Sequence, residues 1–379
     1  MIDLDLGTIV RAAGEAYQAS HRTTSEQRKV LRAIATCRTP ALGGQRLQCD
    51  QCGFEHIVWH SCRNRHCPRC QAAARAEWLE QRREELLPVP YFHVVFTIPE
   101  ELNIVALFAP RVLYDAMFRC AGQALLDVGR SKLGVELGAL AVLHTWGQTL
   151  VLHPHIHCVV PGGGFADGGV HWRSVRKPSF FLPVKVLSRR FRTLLCESLR
   201  ESYRKGRLQV PQRIIADAVA LDVLLARAAG HEWVVYAKPP FGGPEQVLAY
   251  LAAYTHRIAI SNRRLVAFDG QTVTFRYRDY ADGNRDKVIT LDVHEFLRRF
   301  LQHVVPRRFV RIRYYGFLAN RVRRPSLDRA RTLLGAKPPA PLSSAEPKSS
   351  DCPRCEHGRL IVVESIEPQP RLPQILDSS

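Results

Sequence analysis

With 379 residues, 46% of them hydrophobic, the chain has room for two or three globular domains, and its apolar runs are too short and too often broken by charge or proline to span a membrane. Its 54 Lys and Arg against 35 Asp and Glu leave a formal charge of +19. From Lys337 onward five basic residues stand against six acidic ones, so the excess lies in residues 1–336 and a basic tail is excluded as its source. Arginine outnumbers lysine, which suits bidentate contacts to phosphate and makes nucleic acid the expected partner.

The N-terminus lacks the basic-then-apolar pattern of a secretory signal, so the expected compartment is the cytoplasm, where the 11 cysteines stay reduced. Residues 7–20 predict a helix, and a second begins at Thr24 or Ser25 with Glu26 in its first turn and an apolar face through Val30, Leu31 and Ile34. Two Cys-x-x-Cys knuckles follow, Cys49–Cys52 and Cys67–Cys70. Their spacing predicts a tetrahedral structural zinc site of Cys49, Cys52, Cys67 and Cys70, with Gly53 permitting the tight turn after the first knuckle. Four thiolates leave no open position, so this zinc is structural rather than catalytic. Cys37, Cys62 and His66 lie close by, either as a second partial site or as buried thiols.

An Arg/Glu-rich helix is predicted over 72–87, ended by Pro88 and Pro90. Tyr91 to Pro99 is a β-branched and aromatic strand, with His93 expected to be a packed residue rather than a ligand. Residues 101–130 have helical periodicity. Residues 139–152 and 156–160 predict a hairpin whose second strand carries His155 and His157. One residue apart on a strand, the two imidazoles share a face and can hold one metal ion, while Ile156 turns to the core. Gly162, Gly163 and Gly164 leave room for another backbone or a ligand. Two imidazoles hold an ion loosely. Gln148 is the preferred third ligand through its amide oxygen, and His153 is the alternative on the same strand face; oxygen donors point to Mg²⁺ or Mn²⁺.

An amphipathic helix is predicted over 188–203. After Gly243, Pro244 and Glu245 mark a helix start, which places Tyr250 and Tyr254 on one helical face. Arg257, Arg263 and Arg264 follow as a basic segment suited to a polyanion. A hairpin over 265–277, a strand over 287–291 and a helix over 294–303 come next. Residues 307–324 are densely basic, with aromatics placed to stack on bases. A Pro/Ser-rich linker occupies 336–350, and beyond it Cys352–Cys355 is half a knuckle that either borrows a ligand such as His357 or stays metal-free. No phosphate-binding glycine motif occurs, so no nucleotide cofactor is expected.

Histidine pair, tyrosine pair and basic body together fit cleavage of a DNA strand by a tyrosine nucleophile. In order along the chain, Cys49-x-x-Cys52 with Cys62-Arg-Asn-Arg-His-Cys67-Pro-Arg-Cys70, the His-Pro-His-Ile-His core with its glycines, and Tyr-Leu-Ala-Ala-Tyr-Thr-His-Arg resemble the rolling-circle HUH transposases of bacterial insertion sequences. More narrowly, the chain resembles the two-tyrosine group with an N-terminal zinc-binding domain, and the similarity spans roughly residues 20–330. It implies an α+β fold, with a nuclease domain built on a central antiparallel sheet flanked by helices and preceded by the zinc-binding domain. It also implies His155 and His157 as metal ligands, Gln148 completing the site, and Tyr250 as nucleophile with Tyr254 as its partner.

The expected division is therefore 1–88 for N-terminal helices and zinc, 89–335 for the nuclease, and 336–379 for linker and tail. The expected activity is nicking and transfer of single DNA strands at element ends and target, on the bacterial nucleoid. Two alternatives remain at this point: a plasmid replication initiator or relaxase of the same chemistry, and a zinc-ribbon regulator that binds DNA without cutting it.

Overall fold

The computed structural model describes residues 4–71, 82, 84–175, 181–238, 246, 258–280, 282–337, 351–355 and 357–369. In chain order its main elements are α1 (Leu6–Ser20), α2 (Ser25–Thr36), β1 (Gly44–Cys49), β2 (Glu55–Trp59), β3 (Tyr91–Thr97), α3 (Asn103–Phe108) and α4 (Pro110–Leu133). There follow β4 (Gly138–Trp146), β5 (Leu152–Pro161), β6 (Gly163–Ala166), β7 (His171–Ser174), α5 (Val184–Arg204), α6 (Ala218–Ala229) and β8 (Val235–Lys238). The last are β9 (Leu265–Phe268), β10 (Thr272–Asp279), β11 (Arg285–Asp292), α7 (Val293–Leu301), β12 (Ile312–Gly316), α8 (Arg323–Leu333) and β13 (Leu360–Ile366).

These group into two compact units, neither continuous in sequence: Met1–Ala74 with Ile260–Val304 and Pro341–Ser379, and Arg75–Ala259 with Val305–Ala340. The sequence-based division at residues 88 and 335 follows chain order and does not coincide with this grouping.

In the first unit, Asp5 caps α1 by accepting from the Thr8 amide, and Thr24 opens α2 through a capping box with Gln27. Glu26 stands in the first turn of α2, as expected, and the reciprocal capping bond comes from Gln27, the residue three past the cap. Two three-stranded antiparallel sheets complete the unit, ordered β11-β10-β9 and β13-β1-β2. Phe275 of β10 and Phe296 of α7 meet edge to face at 5.8 Å, both fully buried.

The second unit is built on a five-stranded antiparallel sheet, β12-β4-β5-β3-β8. One face packs on α4 and α5, which bury Leu113, Met117, Phe118, Phe191 and Leu195 against Phe92, Val94, Phe96, Leu143, Ile156 and Cys158. Pro110 starts α4 and Gly134, at φ +64, ends it. The helix expected over 101–130 is thus interrupted at Ala109, the residue before that proline, which is disfavoured in helical conformation. On the opposite face, Leu140, Val142 and Val159 pack beneath Phe165, Phe317 and Leu327. The aromatics of 307–324 are largely structural: Phe309 is 1% and Phe317 4% exposed, and Arg313 lies over the rings of Phe118 and Phe309. No helix among the described residues is long and apolar enough to cross a membrane.

Candidate active site

Strand alternation places Ile156 fully in the core and sends His155 and His157 to the other face, as the spacing predicts. Antiparallel register then decides what stands beside them. His144 on β4 pairs with His155 on β5, and Val142 pairs with His157. Directly opposed residues share a face, so His144 joins the two imidazoles. The ring nitrogens of His144, His155 and His157 lie within 4.8 Å of one another.

Their rings meet edge to face, with centroids 4.4 Å apart for His144 and His157, 5.5 Å for His144 and His155, and 4.8 Å for His155 and His157. His144 also stacks on Trp146 at 4.7 Å, which fixes its plane. His144 is the residue that sequence reasoning missed. Its signal lies in the hairpin, because the turn at 147–151 closes with Trp146 opposite Leu152 and sets His144 against His155. Gln148, the expected third ligand, lies within that turn, where Gly147 N–H donates to Val151 O and Leu150 takes a left-handed φ of +63.

Second-layer contacts orient two of the imidazoles. His155 Nδ1 lies 2.6 Å from the His153 carbonyl, an acceptor only, so Nδ1–H donates and the ring's lone pair sits on Nε2. His157 Nδ1 lies 2.8 Å from His93 Nε2. Burial, helped by the charge of Lys238, pushes the His93 pKa down to about 3, so this ring is neutral at working pH. His93 is thus a packed strand residue, as expected, and sits behind a histidine of the cluster. Three imidazoles within reach of one ion are a chemically sound metal donor set.

The glycines after β5 are filled by the protein's own chain. A Cβ on Gly162 would stand 2.8 Å from the Pro90 carbonyl oxygen, on Gly163 2.8 Å from that of Arg173, and on Gly164 2.2 Å from that of Glu136. The close approach foreseen for these positions is a backbone approach.

The four cysteines expected around one zinc are divided between two clusters. Cys67 and Cys70 join Cys37 and Cys62, with Sγ–Sγ distances of 3.6 Å for Cys37–Cys70, 3.6 Å for Cys62–Cys70 and 3.5 Å for Cys67–Cys37. Cys49 and Cys52 lie instead with Cys352 and Cys355. The physical reason is that Cys37, at the C-terminal cap of α2, and Cys62 already complete a sphere around the second knuckle. Tetrahedral zinc with Zn–S bonds of about 2.3 Å sets its sulfurs about 3.8 Å apart, so the cluster fits the ion. Hydrogen bonds from Cys62 and Cys67 push the Cys37 thiol down, and those from Cys37 and Cys62 push Cys67 up.

Tyr250, Tyr254 and Arg257 lie outside the described residues. Arg263 is exposed, whereas Arg264 donates through Nε to the Arg276 carbonyl at 2.8 Å and lies over the Phe275 ring.

Against known families, residues 138–326 match a family described as "Putative transposase" and residues 9–98 match a "Transposase zinc-binding domain". The chain is 48% identical to the putative transposase y4qJ of Sinorhizobium fredii, over 99% of this chain and 98% of that protein. It is 31% identical to the transposase for insertion sequence element IS801 of Pseudomonas savastanoi pv. phaseolicola, over 76% of this chain and 69% of that protein. No solved structure matches. The zinc-binding match encloses the whole Cys37, Cys62, Cys67 and Cys70 cluster and supports a structural zinc there.

Proposed function

The chain belongs to the family of insertion-sequence transposases, and on that premise we propose that it nicks and transfers single DNA strands through a phosphotyrosine intermediate. The observation that carries this reading is the trio His144, His155 and His157, three imidazole donors gathered on one face of the central sheet.

A divalent ion bound there would draw charge from a non-bridging oxygen of the scissile phosphate. The phenol of Tyr250 gives up its proton as its oxygen attacks phosphorus in line, the bond from phosphorus to the sugar oxygen breaks, and that oxygen takes up a proton as the strand end departs. Phosphodiester energy is kept in the tyrosine ester, so no nucleotide cofactor enters. Tyr254, four residues on in the sequence, provides a second phenol, so one strand can be held while another is cut. His153 and Trp146 keep His155 and His144 in place, and His93 does so for His157. Three ring nitrogens weigh against Mg²⁺, which favours oxygen ligands in near-ideal octahedra, and so favour Mn²⁺ of the two ions expected. Arg257, Arg263 and the arginine-rich body supply the phosphate contacts on nucleoid DNA.

The test is incubation with single-stranded DNA from the element's end and Mn²⁺. A protein–DNA adduct resistant to denaturation is expected, and Tyr250→Phe/Tyr254→Phe must abolish it; an adduct that survives the double change overturns the tyrosine assignment.

A further inference from the structure

We propose that Cys49, Cys52, Cys352 and Cys355 form a second zinc site, whose two halves come from the first and last parts of the chain. Cys352 and Cys355 lie outside the region that matches the zinc-binding domain, and the inference is independent of the chemistry proposed for the histidines.

The sulfurs are spaced for a metal. Cys49 Sγ stands 3.7 Å from Cys355 Sγ and Cys52 Sγ 3.6 Å from Cys352 Sγ, with all four within 4.8 Å. Tetrahedral zinc requires about 3.8 Å, whereas a disulfide requires about 2.0 Å, and all four thiols are free.

Both knuckles are shaped to hold thiolates. The amides of Gln51 and Cys52 point at Cys49 Sγ from 3.4 and 3.5 Å, and the amide of Arg354 points at Cys352 Sγ from 3.4 Å. Backbone amides of His357 and Gly358 serve Cys355 in the same way. N–H groups turned onto sulfur stabilise the deprotonated form that a metal needs. His357 therefore assists through its backbone, and its imidazole is not among the clustered donors.

Glycine at 358 is what lets the two knuckles meet. A Cβ there would stand 2.4 Å from Cys49 Sγ and 2.9 Å from Asp50 Oδ1. The adjoining backbone is tied as well: Asp50 N–H donates to the Arg359 carbonyl at 3.0 Å, and Arg359 N–H to Asp50 Oδ1 at 2.8 Å.

From this clasp β13 runs antiparallel along β1, from Leu360 opposite Cys49 to Ile366 opposite Gly44. The sheet so formed buries little. Ile361 is 50%, Val362 53% and Val363 43% exposed, and four of the five residues of β2 are exposed. A small sheet with wet faces lacks the apolar burial that would hold a strand arriving from 300 residues away. A metal crosslink beside the first rung supplies what the side chains do not.

The experiment is zinc analysis of the full-length protein. Two zinc ions per chain are expected, falling to one in Cys352→Ser/Cys355→Ser, with faster hydrogen exchange in residues 44–49. One zinc per chain in the unaltered protein, or two retained in the double variant, overturns the second site. Should the variant fail to fold, Co²⁺ titration of the unaltered apoprotein decides: thiolate-to-cobalt absorbance rising to two equivalents supports the site, and saturation at one refutes it.

Discussion

His93 on β3 and His157 on β5 are joined through their rings, Nε2 to Nδ1 at 2.8 Å, in a nearly parallel stack at 5.0 Å. When His157 Nδ1–H donates, its lone pair sits on Nε2, and the neutral His93 ring, held in that state by burial, is the acceptor. His93 is a positioning residue for the cluster. His93→Ala is expected to weaken Mn²⁺ binding by about 10- to 100-fold, as loss of such outer contacts does elsewhere. His93→Gln, which keeps an acceptor, should recover part of it. Calorimetric titration with Mn²⁺ is the measurement, and unchanged affinity in His93→Ala would sink the idea.

The identity of the third metal ligand separates two geometries. With His144 opposite His155, His144→Ala should abolish measurable Mn²⁺ binding and DNA adduct formation, whereas Gln148→Ala in the turn should change both by less than about tenfold. The reverse ranking would return the role to Gln148. The pair His155→Ala/His157→Ala separates a nuclease from a DNA-binding regulator: adduct formation should vanish while duplex binding persists.

Gly164 is held against the Glu136 carbonyl, where an added Cβ would stand 2.2 Å from oxygen. Glu136 and Phe165 exchange both backbone hydrogen bonds at this point, at 2.7 and 3.1 Å, so the neighbour is fixed. Gly164→Ala should therefore cost roughly 3 kcal/mol of stability, at the upper end of overpacking penalties. Urea unfolding without DNA reads it directly. A variant with unchanged stability but impaired DNA binding would instead favour the alternative that these glycines leave room for a ligand.

What could be read from the sequence was local. The alternation that sends His155 and His157 to one face and Ile156 to the other needs only the period of a strand, and the Cys-x-x-Cys knuckles need only a turn. What was missed depends on pairing over distance. His144 becomes a cluster member through the length of the 147–151 turn, and Cys49–Cys52 finds its partner knuckle some 300 residues on, not 14, because Cys37 and Cys62 complete the nearer one. Phe309 and Phe317 looked like base-stacking residues because basic neighbours surround them, but burial assigns them to the core.

Glu295 gives a pH dependence that can be worked out in sign. Hydrogen bonds from Arg298 to both carboxylate oxygens, and then from Arg299 to Oε1, hold its pKa at about 2, below the ordinary value of 4.5. A carboxylate depressed on folding contributes stability that is complete above about pH 4.5 and is lost as the pH falls toward about 2. The side chain is 32% exposed, so solvent screening holds the contribution to about 1 kcal/mol. Glu295→Gln should flatten the stability curve between pH 4.5 and 2 and leave it unchanged in shape above.

Cys37 distinguishes the cluster found here from the four-cysteine set that spacing alone suggests. It is 2% exposed at the C-terminal cap of α2, and its sulfur is 3.6 Å from Cys70 and 3.5 Å from Cys67. If Cys49, Cys52, Cys67 and Cys70 shared one ion, Cys37→Ser would keep its full zinc content and lose only a buried thiol. If the ion sits among Cys37, Cys62, Cys67 and Cys70, a hydroxyl replaces one of four thiolates in a closed sphere, and the metal leaves readily to chelators. We expect Cys37→Ser to lose one zinc equivalent to a mild chelator that does not strip the unaltered protein. Because α2 is tied to the 62–70 loop through that sulfur, proteolysis within residues 38–70 should accelerate at the same time. Retention of zinc with unchanged proteolysis would restore the simpler four-cysteine set.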